Sequence, residues 1–308
     1  MIDGMLNVYK EKDFTSHDVV AKLRGILKQK KIGHTGTLDP AATGVLPVCL
    51  GRGTKLCDMI AGQDKVYEAV LLLGVTTDTQ DTTGKVTARH PVVWSPEFKT
   101  ALDAAAASFK GDYNQVPPMY SAIKVGGKKL YELAREGREI SRKARRVHIY
   151  EIEMTGDAQY DDSAQTVRVP VRVHCSKGTY IRTLCHDIGE KMGCGGCMEA
   201  LTRIRVGNFE IGSALTLAQI ERMVKEQTLN SVIVPVDDML REYPAVYIKE
   251  KDCRLIYNGN PFKAENIEKA ENADACGQVR VYDFSGRFVG VYAYDVEGRQ
   301  YKPVKMFL

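Results

Sequence analysis

The sequence predicts an α+β protein with one large domain and a small β-rich module at its C-terminal end. A chain of 308 residues is long enough for both. Helix-like and strand-like apolar patterns both occur before residue 235. Pro235 and Pro244 then bracket a predicted linker, and the segment after it contains a hairpin pattern.

The N-terminal part begins with a short strand and a capped helix. Residues 6–9 read as the strand, and Thr15 or Ser16 is the predicted helix cap. One face of that helix carries aliphatic side chains: Val19, Val20, Leu23, Ile26 and Leu27. The apolar run 66–74 has the length of a buried strand, and the alanine-rich segment 97–109 predicts a helix.

A second strand and helix follow in the middle of the chain. The valines at every second position of 167–173 predict a strand with one buried face and one basic face. Pro170 within it favours an edge strand or a bulge. The next helix has an apolar face and places Tyr180 and Arg182 in its first turn. That face consists of Ile181, Leu184, Cys185 and Ile188.

Near the C-terminal end, 279–284 and 287–294 alternate in strand fashion around a Ser-Gly turn at 285–286. They predict a β-hairpin inside a small β module. The sequence shows no internal repeat.

The segment 33–46 contains one carboxylate, Asp39, among turn-forming residues: Gly33, Gly36, Pro40 and Gly44. Glycines and a proline at this spacing fix a backbone path. An acid held on a rigid loop between apolar neighbours is a candidate catalytic group. A structural hydrogen bond within the turn is the alternative, and these residues alone do not name a reaction.

The net charge of +4 is unevenly distributed. Residues 124–146 contain nine basic and three acidic side chains, so the remainder of the chain is slightly acidic. One basic strip on a nearly neutral body indicates a polyanionic partner, and a solvated helix with Glu–Arg pairs is the alternative. The sequence contains neither a phosphate-binding loop nor the Gly-x-Ser-x-Gly motif of serine hydrolases.

The eight cysteines have no disulfide-framework spacing, which favours reduced thiols in the cytoplasm. We expect no signal peptide and no membrane span. Cys194 and Cys197 have metal-ligand spacing, but no second pair accompanies them, so a zinc site is not favoured and the pair is assigned no function.

Residues 33–46 resemble the active-site loop of the TruB family, the bacterial tRNA pseudouridine-55 synthases. Glu11 and Asp13 stand where the family usually has Pro and Gly. Further matches run in family order nearly to the end of the chain. They are 64–67 (the strand with the active-site tyrosine), 77–84 (the following turn), 116–137 (the RNA-gripping insertion), 175–184 (the third motif), and 257–261 with the later hairpin (the PUA RNA-binding module).

The resemblance implies a pseudouridine synthase catalytic domain over 1–240, with a central mixed or antiparallel sheet flanked by helices. It implies an RNA-gripping insertion at about 112–147 and a PUA-like domain over 241–308. The implied reaction isomerises a uridine at position 55, in the T-arm loop of tRNA, after base flipping. The implied partner is tRNA alone: we expect a monomer, with no guide RNA, membrane, metal or cofactor.

The resemblance also assigns residues to the reaction. Asp39 either attacks C1′ or removes the proton at C2′, and both routes stay open. Arg182 should pair with Asp39 and keep it ionised. Tyr67 should stack on the target base, and its hydroxyl should assist removal of the C5 proton.

The remaining implied residues bind the substrate. Tyr180 should contact the base or its ribose-phosphate, and Leu201 should contact uracil through its backbone. His34 should fill the space that the flipped base leaves. Three lysines complete the predicted binding set: Lys10, Lys128 and Lys129.

Two other functions are compatible with this scaffold. One is a non-catalytic RNA-binding or RNA-folding protein, against which the intact Asp39, Tyr67, Tyr180 and Arg182 argue. The other is a guide-RNA-dependent synthase, against which the intact insertion at 116–137 argues.

Overall fold

A computed structural model describes residues 1–271 and 277–308. The helices are α1 Ser16–Leu27, α2 Cys57–Ala61, α3 Pro96–Ala107, α4 Leu130–Arg135, α5 Ile181–Lys191, α6 Leu217–Lys225 and α7 Cys253–Tyr257. The strands are β1 Gly4–Lys10, β2 Ile32–His34, β3 Thr43–Leu50, β4 Lys65–Leu73, β5 Val75–Thr77, β6 Val86–Arg89, β7 Gly111–Gln115, β8 Lys124–Val125, β9 Lys128–Lys129, β10 Arg145–Met154, β11 Gln159–Asp161, β12 Thr166–Cys175, β13 Gly196–Val206, β14 Phe209–Glu210, β15 Ala245–Ile248, β16 Ile267–Glu271, β17 Gln278–Tyr282, β18 Phe288–Asp295 and β19 Gln300–Met306.

Ten of these strands form a central mixed sheet. Its main order is β1-β3-β13-β4-β12-β10-β7, and β2, β11 and β14 pair beside β3, β12 and β13. The β3–β13 pairing is parallel and the others are antiparallel. Apolar side chains of α3 and α5 pack on β4 and β12, while α1 and α6 pack on β1 and β3. The predicted mixed sheet with flanking helices is confirmed.

The alternating valines lie in β12, and all four are buried. The edge position that Pro170 favoured is wrong, since β12 lies between β4 and β10 in the sheet. On one side of β12, the pairing with β11 ends at Arg168 and the pairing with β10 begins at Val171. Pro170 lies in the gap between these two pairings. The Pro170 carbonyl accepts from the Thr155 amide there at 3.0 Å. A residue without an N–H is tolerated at such a gap.

Two of the three predicted helices, α1 and α5, begin where the sequence placed them, and the third forms as α3. Thr15 caps α1: its Oγ1 accepts from the Asp18 amide at 3.0 Å, and the Asp18 carboxylate accepts from the Thr15 amide at 2.9 Å. This reciprocal capping satisfies two otherwise free donors. Tyr180 is the residue before α5, and Arg182 is in the first turn.

The C-terminal part forms a second sheet with the order β16-β15-β17-β18-β19, so the predicted β-rich domain is confirmed. Its hairpin of β17 and β18 is also present. The predicted linker packs against the protein, because Val236 and Leu240 are buried. The last strand is also attached to the first domain: Lys55 Nζ donates to the Met306 carbonyl at 2.6 Å. The division at 240/241 itself stays a prediction.

The insertion expected at about 112–147 contains the short hairpin of β8 and β9 followed by α4. It connects β7 to β10, which pair with each other in the central sheet. None of the helices formed by the described residues combines the length and apolar character that a bilayer crossing requires.

Candidate active site

The Asp39 loop connects β2 to β3 and is fixed from several sides. The Thr35 amide and hydroxyl both donate to the Pro47 carbonyl, at 3.1 and 3.2 Å. The Leu38 amide donates to Ser16 Oγ at 2.9 Å, and the Leu38 side chain is buried in the core. On the other side of Asp39, the Pro40 carbonyl accepts from the Asp13 amide at 2.9 Å. Because these contacts hold the backbone on both flanks, Asp39 has a defined position without a ligand.

Gly44 ends this loop where β3 meets β13. Its φ is +106°, a backbone conformation that favours glycine. A Cβ atom added here would lie 2.2 Å from the Arg203 carbonyl oxygen. The turn pattern in the sequence therefore reflects a close approach of two strands as well as a turn.

Arg182 reaches Asp39 from the start of α5. Its Nε lies 3.0 Å from Oδ2 of Asp39, and its Nη2 lies 3.4 Å from Oδ1. The guanidinium also donates to the carbonyls of Thr79 at 3.0 Å and Tyr120 at 2.9 Å. The Arg182 side chain is 5% exposed and that of Asp39 is 39% exposed, so the carboxylate faces the open side of the pair.

Burial raises the pKa of the Asp39 carboxyl, and the positive charge of Arg182 opposes that rise. Arg182 thus favours the ionised form, the form that a nucleophile or a base needs.

Asp81 is a third charged group here that sequence reasoning did not single out. Its Oδ2 lies 3.5 Å from Arg182 Nη1. Its Oδ1 accepts from the Thr79 hydroxyl at 2.8 Å and from the Thr83 amide at 3.0 Å. The charge of Asp81 also contributes to the raised pKa of Asp39. The turn at 77–84 was predicted, but nothing local shows that it points at Arg182.

The two tyrosines lie beside this pair. Tyr67 is on β4 and is 8% exposed. The Tyr180 amide donates to Gln115 Oε1 at 2.8 Å, and its carbonyl accepts from Gln115 Nε2 at 2.9 Å. Tyr67 shares a core cluster with Leu38 and Ala42 of the Asp39 loop, and Tyr180 is two residues before Arg182. Burial raises the pKa of both phenols, and the negative charge of Asp39 adds to each rise.

Leu201 and His34 border the same region from β13 and β2. Leu201 is opposite Ala69 in the pairing with β4 and belongs to the core cluster that contains Tyr67. His34 is the last residue before the Asp39 loop, and its Nδ1 is buried without a hydrogen-bond partner. Burial lowers the pKa of His34, which favours a neutral ring.

Lys10 occupies a different place from the one expected of a substrate-binding residue. It is 0% exposed, and its ammonium group donates to three backbone carbonyls. These belong to Glu11 at 3.1 Å, Phe14 at 2.6 Å and Pro40 at 3.1 Å. All three N–H donors of Lys10 are used inside the protein, and one of them binds the carbonyl of Pro40, the residue after Asp39.

Lys128 and Lys129 lie on β9 in the insertion, apart from the Asp39–Arg182 pair. Lys128 is bonded to Glu136 at 2.8 Å, so part of its charge is compensated. Lys129 Nζ lies 3.2 Å from the Tyr131 hydroxyl and over the Tyr131 ring. The alternative of a solvated helix with Glu–Arg pairs is present only in part: α4 covers Leu130–Arg135 after the hairpin, and two Glu–Arg pairs follow it.

Arg203 is the second residue that sequence reasoning missed. It is 2% exposed, and its Nε donates to the Val45 carbonyl at 2.7 Å. In the β13–β4 pairing it stands opposite Tyr67. The sequence marks it only as one of several arginines near Leu201, and a buried arginine has no local signature.

The described residues contain no group of three or more His, Cys, Asp or Glu side chains that is arranged to hold a metal ion. Cys194 and Cys197 are buried free thiols.

Comparisons with known proteins agree on one family. Residues 24–181 match the family model described as TruB family pseudouridylate synthase (N terminal domain). Residues 182–241 match the one described as tRNA pseudouridylate synthase B C-terminal domain. That second segment contains nearly all of α5 and the whole of β13, which lies between β3 and β4 in the central sheet.

Individual relatives match over the whole length. The chain is 52% identical to tRNA pseudouridine synthase B of Lachnoclostridium phytofermentans, covering 100% of both chains. It is 41% identical to the protein of that name from Clostridium kluyveri, again over 100% of both. Among solved structures, a Cbf5-Nop10-Gar1 complex contains a chain with a TM-score of 0.69 and 26% identity, with 99% of this chain and 85% of that chain covered.

Proposed function

Because this chain belongs to the TruB family of pseudouridylate synthases, we propose that it isomerises the uridine at position 55, in the T-arm loop of tRNA. Family membership makes it a tRNA pseudouridine synthase, an isomerase. The observation that carries the proposal is the Asp39–Arg182 pair, an accessible carboxylate bound to a buried guanidinium beside two tyrosines.

The reaction exchanges one bond for another at C1′. The N1–C1′ bond breaks, uracil turns, and C5 bonds to C1′ before its proton leaves. Asp39 acts on the sugar in one of two ways, by attack on C1′ or by removal of the C2′ proton. An oriented carboxylate suits either route.

The surrounding side chains hold the nucleotide. Tyr67 carries the flipped base, and its hydroxyl assists removal of the C5 proton. Tyr180 contacts the base or its ribose-phosphate, and Leu201 contacts uracil through its backbone. His34, at the entrance of the Asp39 loop, occupies the space that the base leaves in the RNA. The double hydrogen bond from Gln115 supports this role of Tyr180 because it fixes the backbone there.

The insertion and the C-terminal β-rich domain bind the RNA by shape and charge. The Tyr120 carbonyl, at the base of the insertion, accepts a hydrogen bond from Arg182. This contact supports a stand-alone enzyme, since the segment that grips the RNA also touches the catalytic pair. We therefore propose a monomer that needs no guide RNA.

Incubation of the pure protein with an unmodified tRNA transcript, followed by mapping of pseudouridine, tests the proposal. We expect conversion at position 55 without added protein or RNA. A transcript with cytidine at that position is the matched control and should stay unmodified. Conversion elsewhere would contradict the position, dependence on a guide RNA would contradict the stand-alone enzyme, and no conversion would contradict the activity.

A further inference from the structure

Arg203 is a buried cation with unused hydrogen-bonding capacity. Its Nη2 has no contact with solvent and no hydrogen-bond partner. The hydrogen bond from Nε to the Val45 carbonyl does not satisfy this second amino group. Burial of a charged group with an unpaired donor costs free energy, so a buried guanidinium with one amino group unpaired suggests a functional reason.

The Arg203 guanidinium lies between Tyr67, the proposed stacking partner of the target base, and the Asp39 loop. Arg203 stands opposite Tyr67 across the β13–β4 pairing. On the loop side, a Cβ atom added to Gly36 would be 3.6 Å from Arg203 Nη1. Burial raises the pKa of Tyr67, while the charge of Arg203 and a hydrogen bond with its side chain act in the opposite direction.

Two buried lysines lie in the same part of the sheet: Lys10 is opposite Gly44, which is itself opposite Arg203, and Lys65 is two residues before Tyr67 on β4. Lys65 is 6% exposed and donates to the carbonyls of Ala61 at 2.8 Å and Gln63 at 2.5 Å. Burial and the charge of Arg203 together lower the pKa of both Lys65 and Lys10 to about 8. Among the described residues, no carboxylate forms an ion pair with any of these three side chains. The wall behind Tyr67 is therefore cationic.

The proposed reaction creates an anion at this place. When the N1–C1′ bond breaks, its electron pair stays on the base, and uracil becomes uracilate whichever route Asp39 takes. The base loses its negative charge when C5 uses an electron pair to form the bond to C1′. The negative charge returns when the C5 proton leaves and the electrons of the C5–H bond form the C5–C6 double bond. It is neutralised when N1 takes up a proton. Fixed positive charge in a site without water stabilises such a short-lived anion.

We propose that Arg203, with Lys10 and Lys65 behind it, stabilises the departing uracilate through its positive charge. The proposal rests on the proposed function. Arg203 acts through the electrostatic field behind Tyr67 and needs no direct contact with the base. Its burial without a carboxylate partner follows, since a bonded carboxylate would cancel the field.

The test compares Arg203→Met, which removes the charge, with Arg203→Lys, which keeps it. Arg205→Met is the matched control: Arg205 is on the same strand but is bonded to Asp64 at 2.8 Å and lines the opposite face of the sheet. Single-turnover rates are measured on two RNAs, with uridine or 5-fluorouridine at the target position. Fluorine makes uracil a better leaving group, so its departure depends less on outside stabilisation. With the fluorinated RNA, loss of the original nucleoside is measured.

We expect Arg203→Met to slow the uridine reaction by about 100-fold, the range found when one stabilising donor is removed from an active site. The loss should be clearly smaller with 5-fluorouridine, and Arg203→Lys should retain most of the rate. The ratio of the two losses does not depend on how much of a preparation is folded. Equal losses on both RNAs, or a loss confined to RNA affinity, would overturn the proposal. An inactive wild-type protein would instead overturn the proposed function.

Discussion

The guanidinium of Arg182 contacts both oxygens of Asp39, with Nε 3.0 Å from Oδ2 and Nη2 3.4 Å from Oδ1. Carbonyls from two other segments, at Thr79 and Tyr120, accept its remaining hydrogen bonds. The acid is thus oriented by a partner that is itself fixed, before any RNA arrives. A planar guanidinium suits this two-point contact better than an ammonium group would.

Asp39→Asn should abolish pseudouridine formation, with a rate loss of at least about 1,000-fold, because an amide neither attacks C1′ nor accepts the C2′ proton. Asparagine has nearly the size of aspartate, so tRNA affinity should stay within a few fold. Nucleoside analysis of digested tRNA and filter binding measure the two quantities. Retained turnover would rule out Asp39 as the essential acid.

Arg182→Met should shift the pH dependence of the reaction. Burial raises the pKa of Asp39 and Arg182 holds it down, so removal of the guanidinium should raise that pKa further. Activity requires the ionised carboxylate, so the acid limb should move to higher pH and residual activity should recover as pH rises. Arg222→Met, at an exposed site on α6, is the control. An unmoved acid limb would show that Arg182 does not govern the ionisation.

Lys10→Met should destabilise the fold by roughly 2–5 kcal/mol, because it leaves three carbonyls without their donor. The pKa of Lys10 is lowered from 10.5 to about 8 by burial. Between these values the unfolded chain binds more protons, so Lys10 makes the wild-type free energy of unfolding rise with pH by up to about 1.4 kcal/mol per unit. Urea titrations at pH 7, 8 and 9 should show this rise in the wild type and its reduction in Lys10→Met. An equal rise of the free energy of unfolding with pH in both proteins would contradict the lowered pKa of Lys10.

Lys129→Gln should weaken tRNA binding and reduce its salt slope by about one, the value expected for one lost phosphate contact. Lys128→Gln should have a smaller effect, because the bond to Glu136 already compensates that charge. Binding titrations at several salt concentrations measure both slopes, with Lys225→Gln on α6 as the control. An unchanged slope in both variants would argue against β9 as an RNA contact.

Gly44→Ala should lower the free energy of unfolding by more than about 3 kcal/mol. The residue needs φ near +106°, and an added Cβ would meet the Arg203 carbonyl at 2.2 Å. Gly212→Ala is the matched control, because an added Cβ there would meet nothing within 4 Å. Equal stability of the two variants would show that β3 and β13 can separate at little cost.

Periodic patterns in the sequence predicted the local elements well. The valines of β12 and the apolar face of α5 are repeated signals that depend only on near neighbours. The central place of β12 was not predictable in this way, because the strand order depends on pairings between distant segments. The edge position predicted from Pro170 was wrong for that reason. The central strand β12 tolerates the proline because of the gap between its partner strands β11 and β10.

The site residues also differ in how far the sequence predicts them. Asp39 and Arg182 belong to recognisable motifs, and their ion pair confirms the expected partnership. Arg203 and Asp81 matter through what the fold brings beside them, and a lone buried charge leaves no pattern along the chain. Lys10 entered the predicted binding set through the resemblance, and its three acceptors become visible only when the backbone carbonyls are placed.

The parallel pairing of β3 with β13 covers only two residue pairs, Thr202–Thr43 and Arg203–Gly44. Asp39 precedes β3 on one side of this seam, while Tyr67 and Arg182 lie on the other. A local opening of the seam would separate the acid from its partner while both halves of the sheet stay folded. Mild denaturant should therefore inactivate the enzyme before circular dichroism reports any loss of secondary structure.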